Sequence, residues 1–211
     1  MAAYDLQEQE QLAELKAWWK QYGNLVLGTI TAVLLAYAGW NGWTWYQRSQ
    51  SLEAAAVYET LQQASRMGDT KAAGDAAGTI LEKYSGTAYA SLAALVSAKA
   101  HYQAGNLKTA RAQLQWVIDK APREEVQAVA QLRLAVVLLD ENAHDEALKL
   151  VDAKPAAGFE ALFSSMRGDI LLAQKKPADA RSAYKAAIEK ASEPALREAL
   201  RLKLDALGEE G

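Results

Sequence analysis

The only two histidines of the chain, His101 and His144, are the side chains best suited to metal binding or to acid–base catalysis near neutral pH. Neither belongs to an H-E-x-x-H pattern, and no third ligand stands near them in the sequence. We predict His101 late in one helix and His144 at the start of another, where packing and turn formation account for both. The carboxylate pairs Asp140-Glu141 and Asp145-Glu146 flank a predicted turn, which is typical of a solvated edge. We therefore expect no metal, no cofactor and no enzymatic activity.

The charges of the chain are nearly balanced, with 23 Lys and Arg against 26 Asp and Glu and a formal net charge of −3. A balanced surface gives no electrostatic basis for binding nucleic acid. Cysteine is absent, which excludes a disulfide framework, a cysteine metal site and lipid anchoring through an N-terminal cysteine. The lack of cysteine is compatible with an oxidising compartment.

The longest uncharged stretch lies between Lys20 and Arg48. Its central run, residues 25–46, has about 22 residues and would span roughly 33 Å as a helix, against about 30 Å for the hydrocarbon core of a bilayer. Aromatic residues stand at both ends, as in the aromatic belts at membrane interfaces: Trp18, Trp19 and Tyr22 before the run, and Trp40, Trp43, Trp45 and Tyr46 near its exit. We predict a transmembrane anchor at residues 23–47, after a short tail at residues 1–22.

Two other interpretations fit an apolar run near the N-terminus: the core helix of a soluble protein and a cleaved signal peptide. Core helices rarely carry aromatic belts. Ala36-Tyr37-Ala38 has the form of a cleavage site, but the residues before Lys16 include acidic and no basic side chains, whereas a signal peptide begins basic. The apolar run also continues past Ala38, and both features favour an anchor.

The basic residues beside the anchor indicate its orientation. Lys16 and Lys20 precede it and Arg48 follows it, so the positive-inside rule favours a cytoplasmic tail by a narrow margin. Small residues recur on one face of the span, where they either reflect ordinary transmembrane composition or let another helix approach closely. This predicted packing face consists of Gly28, Ala32, Ala36 and Gly39.

Residues 48–211 are rich in strong helix formers and carry an internal repeat. Its steps are about 37 and 33 residues, close to the ~34 of a tetratricopeptide helix pair. Small residues occupy matching positions in three pairs, where larger side chains would push the paired helices apart: Ala98, Ala135 and Gly168 in the first helices, and Ala110, Ala147 and Ala180 in the second.

Turns and ends complete the predicted array. Gly105-Asn106, Asn142-Ala143 and Lys176-Pro177 fill the turns before the second helices, which then place Leu114, Val151 and Tyr184 inward. A degenerate fourth pair precedes these, at residues 49–67 and 70–83, and residues 193–207 form a closing helix. The predicted fold is all-α: one N-terminal transmembrane helix, then a tetratricopeptide-like solenoid with a C-terminal capping helix.

The first helices of such a solenoid line its concave face, which is the usual binding surface. The predicted groove is unusually apolar, which suits unfolded polypeptide or an amphipathic helix. The alternative is that the C-terminal helix or a tighter superhelix covers these residues. The predicted groove residues are Leu92, Leu95, Lys99, Tyr102, Leu132, Val136, Leu139, Asp169 and Leu172.

The order of these parts resembles the YfgM-like family, the ancillary subunits of the SecYEG translocon. The resemblance covers nearly the whole chain and is strongest in residues 132–139 (LRLAVVLL), 167–190 (RGDILLAQKKPADARSAYKAAIEK) and 193–204 (EPALREALRLKL). It implies a single-pass protein of the bacterial inner membrane with a cytoplasmic N-terminus and a periplasmic repeat domain at residues 48–211. It also implies partners: SecYEG, the membrane-anchored chaperone PpiD and translocating polypeptides.

Two other functions share these features. An envelope scaffold would assemble a membrane complex without contacting client proteins. An import receptor of the mitochondrial outer membrane would also carry an N-terminal anchor and repeats, but its domain would face the cytosol. The orientation of the anchor distinguishes the import receptor from the translocon subunit and the envelope scaffold.

Overall fold

The computed structural model describes residues 2–208, with side chains described from residue 10 onward. This part of the chain contains nine α-helices and no strand, which confirms the all-α prediction. The helices are α1 (Ala2–Arg66), α2 (Thr70–Lys83), α3 (Ala88–Gln103), α4 (Leu107–Lys120), α5 (Glu124–Asp140), α6 (His144–Val151), α7 (Glu160–Ala173), α8 (Pro177–Lys190) and α9 (Pro194–Asp205). The first residue of the predicted tail and the last three of the predicted repeat domain lie outside the described residues.

The chain divides into two compact units, Met1–Ser49 and Gln50–Gly211. The helix predicted to begin at residue 49 has no separate start, because α1 continues to Arg66. The residues around the unit boundary explain this difference. No glycine or proline stands between Gly42 and Gly68, so nothing in the backbone chemistry interrupts the helix.

In the second unit, successive helices pack against each other from α2 to α9, and the first helices α3, α5 and α7 also contact one another in order. The end of α1 joins α2 and α3 through a cluster of buried residues that includes Leu61, Ala77 and Ile80. The second unit therefore holds four helix pairs, the first formed by the end of α1 with α2. The closing helix α9 packs against α8. This is the predicted array.

The same type of turn joins the two helices in each of the four pairs. Gly68, Gly105, Asn142 and Lys175 each have a positive φ at the end of a first helix. In each turn the N–H of the next residue donates to a carbonyl five residues earlier, as from Asn106 to His101 at 2.8 Å. These bonds form the Schellman motif, which ends a helix on a left-handed residue. The shared conformation extends the repeat to the degenerate first pair, and it places the left-handed residue of the last turn at Lys175, one position before the predicted turn.

The small residues of the repeat are buried where the paired helices meet. Ala110, Ala135, Ala147 and Ala180 are fully buried, and Ala98 is nearly so. The position of Gly168 cannot hold a larger residue without a steric clash. A Cβ added there would lie 2.5 Å from Cε1 and 2.6 Å from Cδ1 of Tyr184. Only glycine lets α7 approach the Tyr184 ring this closely.

Candidate binding groove and membrane helix

Eight of the nine predicted groove residues reach the surface to some degree. Leu95 does not: it is 8% exposed and belongs to the main hydrophobic core, so it is unavailable to a ligand. Leu92 and Leu172 are exposed, at 41% and 42%. Leu132 and Leu139 are half-buried and pack against the core, so their outward area is small.

Three of the predicted residues line one cleft between the first helices α3 and α5. The cleft has a volume of about 370 Å³, within the range of about 300–1,000 Å³ common for ligand sites. Its lining is mostly apolar, with two cations and one amide: Ala98, Lys99, Tyr102, Gln103, Leu114, Arg133, Val136 and Val137. We call this space the α3–α5 cleft.

Arg133 is a cleft residue that the sequence analysis missed. It stands three residues before Val136 and one after Leu132, and both of those were predicted to face the groove. Helical periodicity places residues three apart on the same face, so this spacing was a signal for Arg133.

One wall of the cleft is held by a hydrogen bond between neighbouring first helices. The Tyr102 hydroxyl donates to Oδ2 of Asp140 at 2.6 Å. This hydrogen bond, together with burial and the negative charge of Asp140, raises the pKa of Tyr102 above its usual value. The hydrogen bond to Asp140 therefore holds the Tyr102 ring in the lining of the cleft.

Asp169, the acidic residue of the predicted groove, is engaged by the C-terminal helix. Nζ of Lys203 on α9 donates to Oδ1 and Oδ2 of Asp169, at 2.8 and 2.7 Å. Nζ also lies 3.3 Å from Oγ of Ser165 and 5.8 Å from the centre of the Tyr184 ring. The capping helix therefore engages Asp169, and the Asp169 side chain stays 28% exposed.

Tyr184 completes the cluster from the other side of Asp169. Its hydroxyl donates to Oδ1 of Asp169 at 2.7 Å, and the residue is 2% exposed. Burial and then the hydrogen bond to Asp169 raise the pKa of Tyr184 well above its usual value. The carboxylate therefore fastens both α8 and α9 to α7.

A larger cavity of about 660 Å³ lies beside α7 and α8 and was not predicted. Charges of both signs line it, among them Asp152, Lys154, Glu160, Arg167, Asp179 and Lys190. Arg167 pairs with Asp152, and Lys190 donates to Oγ of Ser164 at 3.1 Å. The mixture of charges favours no single ligand class.

The two histidines lie apart, on α3 and at the start of α6. Nε2 of His101 would lie 3.6 Å from a Cβ added at Gly74, an ordinary packing distance to α2. Among the residues with described side chains, no group of three or more His, Asp or Glu could hold a metal ion.

The first unit contains the predicted anchor. One helical stretch, Glu10–Arg66, is long and apolar enough to cross a membrane, and 6% of its most apolar window is buried. A core helix of a soluble protein would be mostly buried. The hydroxyls of Thr29 and Thr31 donate to the carbonyls of Leu25 and Leu27, at 2.9 and 2.8 Å. Such bonds satisfy polar groups within the helix, as an apolar surrounding requires.

The predicted packing face is open. A Cβ added at Gly28 or Gly39 would meet no atom within 4 Å, and Ala32 and Ala36 are exposed. The aromatic residues at the two ends are exposed as well, with Trp18 and Trp19 at one end and Trp40, Trp43 and Trp45 at the other.

Four helix pairs with a shared turn, small residues at each crossing and a closing helix define the class of tetratricopeptide-like repeat proteins. A family model described as a tetratricopeptide repeat-like domain matches residues 16–209. The chain belongs to this family, and its curated relatives include proteins named ancillary SecYEG translocon subunit.

Three of these relatives align along most of their length. The protein from Neisseria gonorrhoeae is 32% identical, with 98% of this chain and 100% of the relative aligned. The protein from Escherichia coli is 30% identical over 95% and 96% of the two chains. The protein from Haemophilus influenzae is 26% identical over 90% and 93%. The names of these relatives describe a translocon subunit, not an enzyme.

Proposed function

We propose that this protein is an ancillary subunit of the SecYEG translocon, anchored in the bacterial inner membrane by one helix. The observation that carries the proposal is the alignment, over nearly the full length of both chains, with relatives that bear this name. The apolar helix Glu10–Arg66 supports it, because its exposed surface suits lipid or a membrane partner.

In this proposal the tail is cytoplasmic and the repeat domain is periplasmic. Lys16 and Lys20 before the span, against Arg48 after it, support this orientation. Fusion of alkaline phosphatase to the C-terminus tests it, because that reporter is active only after export. An active fusion is expected, and an inactive one would place the domain in the cytosol, as in the import-receptor interpretation.

The repeat domain is proposed to hold a periplasmic chaperone, PpiD in the family that the sequence resembles, or a polypeptide emerging from the channel. The apolar lining of the α3–α5 cleft and the exposed Leu92 and Leu172 support a surface that contacts other polypeptides. The accessible part of the groove is proposed to exclude Asp169, because α9 engages it, while Leu172 on the same helix stays exposed.

The anchor is proposed to contact the translocon through the packing face. Ala32→Leu places a branched side chain at the centre of this face, where close helix approach is expected. Purification of the tagged full-length protein from detergent-solubilised membranes should recover SecYEG, and Ala32→Leu should reduce the recovery. Val33→Ala, a change at an exposed neighbouring position, serves as the control. Absence of SecYEG from the wild-type preparation would overturn the proposal.

The envelope scaffold remains the second candidate, and the partial cover of the groove favours it. Leu95 is buried and Asp169 is bound by Lys203, so two predicted contact residues are not free for a client. A scaffold would recover membrane partners but no exported chains. Crosslinking from photoreactive residues in the α3–α5 cleft separates the two functions.

A further inference from the structure

The α3–α5 cleft combines an apolar floor with two cations. Tyr102 and Val136 supply its accessible apolar surface, and Lys99 and Arg133 are the charged residues of its lining. Both are exposed, so their charged ends stand in solvent around an apolar space. Asp140, at the wall formed by Tyr102, already accepts a hydrogen bond from that tyrosine.

Both cations are available to a ligand. Among residues 10–208, whose side chains the structure describes, neither Lys99 nor Arg133 forms an ion pair or a side-chain hydrogen bond. By contrast, Arg111 on α4 is held by Glu141 and Glu146, and Lys203 is held by Asp169. Lys99 and Arg133 can therefore bind an anionic group without breaking an existing contact.

We propose that the α3–α5 cleft binds a segment of polypeptide in which an apolar side chain is flanked by carboxylates. The apolar side chain enters the cleft against Tyr102 and Val136, and the carboxylates pair with Lys99 and Arg133. This inference rests on the proposed function, because it names the chemistry of the polypeptide that the repeat domain holds.

Charge complementarity selects this occupant over other segments. A basic segment would bring like charges against Lys99 and Arg133, and a polar segment would leave the apolar floor in water. The guanidinium of Arg133 can hold a carboxylate with two parallel hydrogen bonds, whereas Lys99 acts as a point charge. The cleft therefore discriminates by sign of charge and by the presence of an apolar side chain.

The test uses the full-length protein in nanodiscs of neutral lipid and fluorescein-labelled ten-residue peptides. One peptide alternates leucine with glutamate, a second leucine with lysine, and a third serine with glutamate. Fluorescence anisotropy, with empty nanodiscs as background, measures each affinity. We expect the leucine–glutamate peptide to bind at least about tenfold more tightly than either of the others, and less tightly as salt is raised.

The double variant Lys99→Gln/Arg133→Gln should weaken binding of the leucine–glutamate peptide roughly tenfold. The matched control Lys71→Gln/Lys185→Gln removes two exposed lysines from α2 and α8, outside the cleft, and should leave the affinity unchanged. All four positions are exposed, so the variants should fold, and circular dichroism checks this. Equal affinity for the acidic and basic peptides, or equal losses in the two double variants, would overturn the inference.

Recovery of SecYEG with the wild-type protein separates this inference from the proposed function. If SecYEG is recovered and the peptides show no preference for acidic residues, the cleft inference is wrong and the proposed function stands. If SecYEG is not recovered, the proposed function is wrong whatever the peptides do. Preference for the acidic peptide together with recovery of SecYEG supports both.

Discussion

Replacement of Gly168 by alanine should destabilise the last helix pair. The added Cβ would lie 2.5, 2.6 and 2.9 Å from Cε1, Cδ1 and Cζ of Tyr184, all well inside van der Waals contact. The ring cannot move away freely, because it is 2% exposed and its hydroxyl donates to Asp169 at 2.7 Å. Overpacking costs about 1–3 kcal/mol, and alanine in place of glycine in a helix returns about 0.5–1 kcal/mol.

The expected net loss is therefore about 0–2.5 kcal/mol in the free energy of unfolding, which places Gly168→Ala about 1–3 kcal/mol below a glycine-to-alanine change at an open helix position. Urea unfolding of the full-length protein in mild detergent, followed by far-ultraviolet circular dichroism, should show a lower midpoint for Gly168→Ala at an unchanged slope. The control is Gly78→Ala in α2, where an added Cβ meets nothing within 4 Å. That variant should gain about 0.5–1 kcal/mol from helix propensity.

A double-mutant cycle with Tyr184→Leu isolates the contact. Without the tyrosine ring, Gly168→Ala should be neutral or stabilising. If Gly168→Ala gains as much stability as Gly78→Ala, the close packing between α7 and α8 is refuted.

Three further predictions concern turns, pH and the groove. Gly105 and Lys175 both have a left-handed φ, which glycine adopts without strain. The free energy of unfolding should therefore fall by about 1 kcal/mol in Gly105→Ala and rise by about 0.5–1 kcal/mol in Lys175→Gly. Urea midpoints that move in the opposite directions would contradict this. The pKa of Tyr184 is raised in the folded protein, so its contribution to stability is complete below about pH 10 and declines above it. In urea titrations, the difference in stability between the wild type and Tyr184→Phe should therefore shrink above about pH 10. A difference that stays constant with pH would contradict this. Leu139→Glu should lower the free energy of unfolding by about 1–3 kcal/mol, because Leu139 packs against the core. Leu172→Glu, at an exposed position, should change it by less than about 0.5 kcal/mol. Equal shifts of the melting temperature in the two variants would contradict this.

Most of the fold could be predicted from the size and polarity of side chains along the sequence. Uncharged length with aromatic ends predicts a membrane-spanning helix, and small residues at repeated spacing predict helix pairs. Those signals depend on side-chain size and polarity, which are readable along the chain. The start of the repeat domain was harder to predict, because the change in composition after residue 47 does not coincide with a helix end. Helix α1 continues to Arg66.

The candidate site was less predictable because it depends on contacts between residues far apart in the chain. Lys203 reaches Asp169 only when α9 packs against α8, and repeat periodicity does not predict the position of a capping helix. Lys175 takes a left-handed conformation where the sequence offers no glycine, so the turn was predicted one residue late. Leu95 faces the core although its spacing matches Leu92 and Lys99 on the groove side.

The central claim is that this membrane-anchored repeat protein holds polypeptide beside the translocon in the α3–α5 cleft. The most direct test places a photoreactive amino acid at Gln103 in the cleft, which leaves both cations in place, or at Lys185 on α8 as a control. The cells hold an exported chain arrested in the channel. We expect crosslinks to the arrested chain or to a periplasmic chaperone from position 103, and few from position 185. Crosslinks of equal yield from both positions, or none from position 103 while SecYEG is recovered with the protein, would contradict this claim.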